Sequence, residues 1–197
     1  MNGYYNYKDG VKIDYQLQPN YEKELFIDAI KDRLLNAENT KLHACEIGVL
    51  NAETSLFFLE KFQNLTLVGI DPLIPDSMES SLIGDIKIIQ ENTESYKSRW
   101  KFYQDYSFNI DSQFENESFD FVFIDGDHTY DAVFQDFEMY LPKVKKGGLV
   151  FMHDSRMNRG GANFHVGSSK FADKTIANDD RVTLVGEAFS LTCFIKN

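Results

Sequence analysis

The sequence has little cysteine and no excess of positive charge, and both shortages exclude classes of function. Cys45 and Cys193 are its two cysteines, and both lie in apolar stretches that lack the spacing of zinc or redox motifs. We therefore interpret them as small core residues. The 20 basic residues are outnumbered by 31 acidic ones, which gives a net charge of −11. Such a chain is poorly suited to bind the phosphate backbone of a nucleic acid.

Long apolar runs are also absent. The sequence contains no run of 18 apolar residues, and its first residues do not resemble a signal peptide. We expect no membrane partner and a cytoplasmic location. Lys143, Lys145 and Lys146 lie close together, but they follow a predicted helix whose C-terminal end attracts cations. We interpret them as a solvated helix end and expect no nucleic-acid partner.

The most informative stretch runs from Phe119 to Ser155. Its apolar run at 121–124 is too short for a helix and predicts a buried strand. A second apolar run at 149–152 predicts another strand. The residues between them have the apolar spacing of a helix, carried by Tyr130, Val133, Phe134, Phe137 and Leu141. Strand, helix and strand at this length predict a right-handed βαβ unit with parallel strands.

Titratable residues stand directly after both of these strands. Asp125, Asp127 and His128 follow the first strand, and His153 and Asp154 follow the second. Ligands of parallel sheets bind outside the carboxyl ends of the strands, so these residues are candidates for a functional site. Three structural alternatives stay open: Asp127 caps the following helix, His128 is a hydrogen-bond partner in the same turn, and His153 faces the core.

An earlier βαβ unit has a similar organisation. The residues 42–47 predict a strand, 54–62 a helix and 65–70 a second strand. Glu46 and Gly48 flank the turn that leads into the helix, where a glycine lets the backbone approach a ligand. Asp71 closes the second strand, where an acid accepts hydrogen bonds from ribose hydroxyls. The turn lacks the GxGxxG pattern, so a plain glycine turn with a surface acid is the alternative.

The rest of the chain completes a sheet. An apolar stripe over 21–36 predicts an N-terminal helix after an arm at 1–19, and the alternating residues 106–110 predict a third strand. Residues 78–103 are then expected to form a mostly helical insertion over the site. Runs at 182–185 and 188–195 predict an antiparallel hairpin that turns at Gly186-Glu187.

The predicted fold is a seven-stranded, Rossmann-like, doubly wound α/β sheet that is mostly parallel and ends in an antiparallel hairpin. We expect one domain over 1–197, with an arm and helix at 1–40 and a cap at 73–104. This order, with the residues FIDGDHTY, LP-VK-GG and HD, resembles the class I S-adenosylmethionine-dependent methyltransferases, and most closely their small-molecule O-methyltransferases. The resemblance covers roughly 42–195. It departs from the family at Ala52, where glycine is usual.

The resemblance implies a role for each site residue. Glu46 and Gly48 would line the methionine end of the cofactor, and Asp71 would bind the ribose hydroxyls. The adenine would lie near two residues after the third strand, Asp111 and Ser112. The fourth strand would place Asp125 near the methionine moiety or a metal.

Metal-dependent relatives hold magnesium through two strand-end acids, which Asp125 and Asp154 match. Ser155 stands where such relatives usually have asparagine. His128 is the first candidate for the base that accepts the proton of the acceptor hydroxyl, and His153 is the second.

We therefore expect an S-adenosylmethionine-dependent methyltransferase that acts on a hydroxyl of a small molecule such as a sugar, with Mg²⁺ as a candidate second cofactor. The main alternative is a catalytically silent protein that binds a cofactor or a partner. A nicotinamide-dependent oxidoreductase is disfavoured because the sequence lacks GxGxxG and a recognisable Tyr/Lys pair. Nucleic-acid methylation is disfavoured by the charge. The sequence leaves a monomer and a homodimer open.

Overall fold

The computed structural model describes residues 5–6, 20–35, 41–75, 83–156 and 166–197. In these residues eight strands form one sheet: β1 Tyr5–Asn6, β2 Leu42–Ile47, β3 Leu65–Ile70, β4 Trp100–Tyr103, β5 Phe119–Ile124, β6 Val144–Met152, β7 Val182–Ala188 and β8 Leu191–Lys196. The α-helices flank them: α1 Asn20–Arg33, α2 Glu53–Lys61, α3 Ile86–Thr93, α4 Ser107–Ile110, α5 Tyr130–Tyr140 and α6 Val166–Asn178.

The strand order is β1-β7-β8-β6-β5-β2-β3-β4. Strands β4, β3, β2, β5 and β6 are parallel, whereas β8 is antiparallel to both β6 and β7. This confirms the predicted Rossmann-like sheet of seven strands, to which β1 adds a two-residue edge strand along β7. The direction of the strand order reverses between β2 and β5, and ligands of such sheets bind at this switch point.

Each face of the parallel strands buries its own apolar cluster, because side chains along a strand alternate between the two faces. On one face, the Phe26 ring of α1 packs edge-on against Phe58 of α2 and Phe123 of β5, with centroids 4.8 and 5.2 Å apart. On the other face, α5 and α6 cover the sheet through contacts such as that between Phe137 and Phe171. The predicted stripe of α1 is confirmed, since all five of its apolar residues are buried: Leu25, Phe26, Ala29, Ile30 and Leu34.

The prediction for the third parallel strand was wrong. Strand β4 spans Trp100–Tyr103, within the segment predicted to be helical, and the predicted strand at 106–110 contains the helical turn α4. The indole of Trp100 covers Gly69 of β3, where a Cβ atom would lie 2.1 Å from the ring. Trp100 and Tyr103 are three positions apart, a spacing that also fits one face of a helix, but both belong to the edge strand β4.

Two smaller predictions also need correction. The C-terminal hairpin turns at residues 189–190, whereas Gly186 and Glu187 lie inside β7, where the pairing with β8 is irregular. The lysines at 143–146 are not simply solvated, since Lys143 is buried and its Nζ lies 3.6 Å from Asp111, and Lys145 pairs with Asp120. Most of the predicted arm lies outside the described residues.

The two cysteines are buried and unpaired with each other, as predicted. Burial raises the pKa of both thiols, which agrees with a role in the core. None of the helices in the described part of the chain has the length and apolar character needed to span a membrane.

Candidate active site

A cavity of about 500 Å³ opens at the carboxyl ends of the parallel strands. Its volume lies in the range of small-molecule sites. It is lined by both βαβ units, from Glu46, Gly48 and Asp71 on one side to Asp125 and His153 on the other. The strand register explains why both units line one cavity, because the last residues of their strands are paired. Ile47 pairs with Ile70 and with Ile124, and Ile124 pairs with Met152.

Gly48 lies where the two units meet. Its φ angle is +85°, and a Cβ atom on it would lie 2.1 Å from the backbone oxygen of Asp125. Only glycine satisfies both the left-handed backbone and this close approach. The turn that follows has two further left-handed residues, Leu50 and Ala52, and Ala52 is fully buried at the start of α2. Alanine at this position is therefore compatible with the fold.

Asp71 organises this turn. Its Oδ2 accepts hydrogen bonds from the backbone N–H groups of Val49 and Leu50, at 2.8 and 2.9 Å, and its Oδ1 accepts one from Leu73 at 2.7 Å. Asp71 thus fixes the loops on both sides of the cavity entrance while its carboxylate lines the cavity. A carboxylate has about four acceptor sites, so these bonds leave capacity for a ligand hydroxyl.

Glu46 is almost completely buried at the end of β2 and accepts a short hydrogen bond from the Ser55 hydroxyl of α2. Burial raises the pKa of the Glu46 carboxyl well above its usual range, and the negative charges of Asp125 and Asp71 raise it further. Burial therefore makes the Glu46 carboxyl harder to ionise than a glutamate on the protein surface.

The cavity wall beyond β4 differs from the prediction. Tyr106, Ser107 and Phe108 line it, whereas Asp111 and Ser112 do not, and Asp111 lies next to Lys143. The reason is that the third parallel strand was predicted too late in the sequence. Because β4 ends at Tyr103, the residues at its carboxyl end precede Asp111.

Asp136 of α5 is a cavity residue that the sequence did not reveal. It is buried, lines the same wall and accepts a 2.5 Å hydrogen bond from the Ser107 hydroxyl. Burial raises the pKa of its carboxyl to about 6, although the bond from Ser107 lowers it. The nearby Tyr106 and Phe108 rings stack at 5.0 Å and are each about 40% exposed.

The second βαβ unit brings the other predicted residues together. One ligand atom from each of Asp125, His128, His153 and Asp154 lies within 4.8 Å of the others. Nδ1 of His153 is 2.9 Å from Oδ1 of Asp125 and 3.3 Å from Oδ2 of Asp154. Nε2 of His128 is 3.5 and 3.6 Å from the same two oxygens. Asp154 has a φ angle of +47°, a conformation that non-glycine residues rarely adopt outside functional or strained positions.

These four residues form a balanced group of charges. Burial alone would raise the pKa of Asp125, but His153 and His128 outweigh burial and leave that pKa below its usual value. Burial alone would lower the pKa of each histidine, but the carboxylates outweigh it, so the pKa of His128 is raised and that of His153 is raised well above its usual value.

Glu22 of α1 is a second residue that the sequence did not reveal. Its Oε2 lies 3.4 Å from Nε2 of His153, and its Oε1 accepts hydrogen bonds from the backbone N–H and the hydroxyl of Ser190. Glu22 is buried, so the N-terminal helix and the last hairpin jointly position a carboxylate behind His153.

Two contacts support the turn that carries His128. Asp127 accepts a hydrogen bond from the backbone N–H of Thr129, and Thr129 is the N-cap of α5. On the other side, a Cβ atom on Gly167 of α6 would lie 2.5 Å from the backbone oxygen of His128. Ser155 does not face the cluster, since its buried hydroxyl bonds to Met152, Ser190 and Thr192.

The comparison with protein families matches the part of the chain that contains both βαβ units. The family described as a methyltransferase domain matches residues 36–155, which is more than half of the chain and includes both βαβ units. The chain belongs to the methyltransferase domain family. The match ends at Ser155, directly after the His153-Asp154 pair, so the region that defines the family contains every predicted site residue.

One curated relative is the uncharacterised protein R132 of Acanthamoeba polyphaga mimivirus, which is 30% identical over 127 residues. The match covers 64% of this chain and 57% of the viral protein, so the chain spans little more than half of its length.

Solved structures share the fold at low sequence identity. A candidate caffeoyl-CoA O-methyltransferase from Staphylococcus aureus has a TM-score of 0.67 at 15% identity, with 92% of this chain and 86% of that chain covered. The Podospora anserina methyltransferase PaMTH1, solved with S-adenosylhomocysteine, has a TM-score of 0.62 at 14% identity, with 93% and 80% covered. The methyltransferase MycE, from the mycinamycin biosynthetic pathway and solved with Mg, S-adenosylhomocysteine and mycinamycin VI, has a TM-score of 0.56 at 19% identity, with 91% and 49% covered.

Proposed function

We propose that this protein is an S-adenosylmethionine-dependent O-methyltransferase that acts on a hydroxyl group of a small molecule, such as a sugar. The observation that carries the proposal is the single cavity that joins the Gly48–Asp71 turn to the Asp125–His128–His153–Asp154 cluster. Membership of the methyltransferase domain family supports methyl transfer. The structural similarity to the candidate caffeoyl-CoA O-methyltransferase supports oxygen as the acceptor atom.

The first βαβ unit would hold the cofactor. Asp71 already fixes its turn through three backbone N–H groups and retains acceptor capacity for ribose hydroxyls. Because Gly48 closely approaches Asp125, a cofactor bound at this turn would have its methionine end next to the second unit. Glu46 lines the same wall, and its carboxyl would hydrogen-bond the amino-acid moiety.

The adenine would lie on the wall formed by Tyr106, Ser107 and Phe108, in place of the contacts first expected from Asp111 and Ser112. The exposed, stacked rings of Tyr106 and Phe108 offer an aromatic surface to a planar base. Asp136 is fixed by Ser107 on the same wall and offers its carboxyl to the polar edge of the base.

His128 is the proposed base. Methyl transfer from a sulfonium to an oxygen is an in-line displacement, so positioning and removal of one proton are the main tasks of the protein. Both ring nitrogens of His153 face carboxylates, at 2.9 and 3.3 Å on one side and 3.4 Å on the other. His128 keeps longer distances of 3.5 and 3.6 Å to the same acids. It is therefore better placed to accept the proton of a hydroxyl that enters the cavity.

The donor set of this cluster fits a divalent cation. Asp125 and Asp154 offer carboxylate oxygens, and the histidines offer nitrogens, all within 4.8 Å. Magnesium was the ion expected from the sequence. A bound divalent ion would lower the pKa of the acceptor hydroxyl and orient it.

Calorimetric titration with S-adenosylhomocysteine tests the cofactor. We expect 1:1 binding to the wild-type protein. Asp71→Asn should lower the affinity at least about tenfold, because it removes the charge of the hydrogen-bond acceptor while the side chain keeps nearly the same size. Asp111→Asn is the matched control, since it removes the same charge outside the cavity and should change affinity by less than about twofold. Absence of binding to the wild-type protein would exclude the proposal.

A second measurement tests catalysis. Once a hydroxylated acceptor is found by screening, we expect His128→Asn to reduce turnover by about 10²- to 10⁴-fold, which is the usual contribution of a general base. Binding of S-adenosylhomocysteine should stay within about twofold, because the side chain is not proposed to hold the cofactor. If the cofactor binds but no acceptor is methylated, the catalytically silent alternative is favoured.

A further inference from the structure

The surroundings of His153 differ on its two sides. Nδ1 lies 2.9 Å from Asp125 and 3.3 Å from Asp154, two residues that line the cavity. Nε2 lies 3.4 Å from Glu22. The ring therefore connects two carboxylates that line the cavity with a third carboxylate that comes from the N-terminal helix.

The spacing on the cavity side matches a metal coordination shell. Ligand atoms that bind one ion at 2.0–2.2 Å in neighbouring positions are roughly 3 Å apart. Nδ1 of His153 lies 2.9 and 3.3 Å from the nearest oxygens of Asp125 and Asp154. The ligand atoms of all three side chains lie within 4.8 Å of one another, so together they offer two oxygens and one nitrogen to a single ion.

The contact between Nε2 of His153 and Glu22 resembles the carboxylate contact that orients metal-binding histidines. A histidine that binds a metal through one nitrogen usually donates the N–H of the other to a carboxylate, which fixes the tautomer and the orientation of the ring. Glu22 occupies this place. Its second oxygen is anchored by the backbone N–H and the hydroxyl of Ser190, at 3.0 and 2.7 Å, so the carboxylate itself is held in position.

A nitrogen donor changes which ion the site prefers. Magnesium prefers an octahedral shell of oxygens, whereas imidazole suits zinc, iron, nickel and copper. We infer that Asp125, His153 and Asp154 bind a divalent transition-metal ion in preference to magnesium, with His153 as the nitrogen ligand and Glu22 as the residue that positions it. His128 remains the base, beside the ion.

This inference rests on the proposed function for the location of the site only, since binding of the ion requires neither the cofactor nor methyl transfer. The competing interpretation is a cluster without a metal, in which protonated histidines neutralise the carboxylates. The two interpretations differ in whether a metal binds to the protein in the absence of any other ligand.

Calorimetric titration of the whole chain with ZnCl₂, MnCl₂ and MgCl₂, without cofactor, distinguishes them. We expect one ion per chain and an affinity order of zinc, manganese and magnesium, with zinc about 100-fold or more tighter than magnesium. Titration with CoCl₂ provides an independent readout, because a nitrogen ligand produces visible absorption of the bound ion that differs from that of aqueous cobalt.

Substitutions at His153 separate the nitrogen ligand from the rest of the site. His153→Asn should weaken zinc binding by about 100-fold, and Glu22→Gln by about tenfold, in line with losses measured for ligands and for the partners that orient them. His153→Glu provides an all-oxygen site and should reverse the preference, so that magnesium binding improves relative to zinc.

Two control variants complete the experiment. His43→Asn removes a histidine at the opposite end of β2, whose ring contacts the Ser118 carbonyl, and should leave zinc binding within about twofold. His128→Asn should weaken it less than about fivefold, although that histidine is a neighbour of the same carboxylates.

The inference is overturned if no metal binds to the wild-type protein, or if magnesium binds as tightly as zinc. It is also overturned if His43→Asn and His153→Asn reduce zinc binding equally, which would indicate adventitious binding. Thermal unfolding of each variant, followed by circular dichroism, separates lost ligands from lost structure. Failure of metal binding with intact S-adenosylhomocysteine binding would reject this inference and leave the proposed function standing.

Discussion

The two βαβ units that meet at the cavity give their carboxyl groups different partners. In the first unit, Glu46 and Asp71 accept hydrogen bonds from neutral donors, namely the Ser55 hydroxyl and three backbone N–H groups. In the second unit, Asp125 and Asp154 face the imidazole rings of two histidines.

The difference shows that the partner, and not burial alone, decides the state of a buried acid. Burial raises the pKa of Glu46 well above its usual range, because a hydroxyl donor compensates only part of the lost hydration. Asp125 is half-buried, and although burial alone would raise its pKa, the histidines lower it. The acids of the first unit are therefore held by neutral hydrogen bonds, whereas Asp125 in the second unit depends on the charge of its histidine partners.

The largest effect is expected where the two units touch. Gly48→Ala places a Cβ atom 2.1 Å from the backbone oxygen of Asp125 in a left-handed conformation. We expect the free energy of unfolding to fall by about 3–5 kcal/mol and binding of S-adenosylhomocysteine to be lost.

Gly147→Ala is the control, because Gly147 has a φ angle of +77° with nothing within 4 Å of the added atom. Its cost should be the backbone cost alone, about 1 kcal/mol. Urea denaturation of both variants measures the difference, and equal losses would show that contact between the units is unimportant.

The next effect concerns Asp136, which separates the influence of the partner from that of the unit. Asp136 lies in the second unit, but its hydrogen-bond donor is a neutral hydroxyl, that of Ser107. Its pKa rises from 3.8 to about 6 in the folded protein. The unfolded chain loses this proton near pH 4 and the folded protein near pH 6, so the stability of the wild type should fall as the pH rises through this window.

Asp136→Asn cannot titrate, and its stability relative to the wild type should increase by about 2–3 kcal/mol between pH 4 and pH 7.5. Urea denaturation of both proteins at several pH values measures this difference. A constant difference across the pH range would show that the carboxyl has an ordinary pKa.

The smallest effect concerns the first unit alone. Ser55→Ala removes the hydroxyl that donates to Glu46, and should lower the free energy of unfolding by about 1 kcal/mol, the usual contribution of one hydrogen bond. Thermal denaturation measures it, with Ser112→Ala as a control at an exposed hydroxyl. A loss equal to that of Gly48→Ala would mean that this bond, and not the junction, holds the cavity wall.

The sequence predicted the central part of the fold because its signals there are local. Strands β2 and β3 have the predicted bounds, since each is a short apolar run that ends at a polar or glycine residue. Strand β4 was missed because it has four residues at the sheet edge, and none of them is fully buried. Its displacement also explains why Asp111 and Ser112 were expected at the cavity in place of Tyr106, Ser107 and Phe108.

The missed site residues lack any local signal. Glu22 lies on the first helix among other acidic and basic residues, and only the packing of α1 against the last hairpin brings it to His153. Asp136 lies on α5 between Gln135 and Phe137, and its hydrogen-bond partner Ser107 belongs to a different element, α4. Motifs identified the groups that follow each strand, but contacts between distant segments are determined by the tertiary structure.

The bond between Glu22 and Ser190 joins residues that are 168 positions apart. Glu22 precedes both βαβ units along the chain and Ser190 follows both, so this bond closes a loop that contains the whole cavity. Closing so long a loop costs more entropy than forming the local contacts within each βαβ unit. We therefore expect the support of His153 to form later in folding than the βαβ units themselves, which an unfolding experiment that follows each segment by hydrogen exchange would measure.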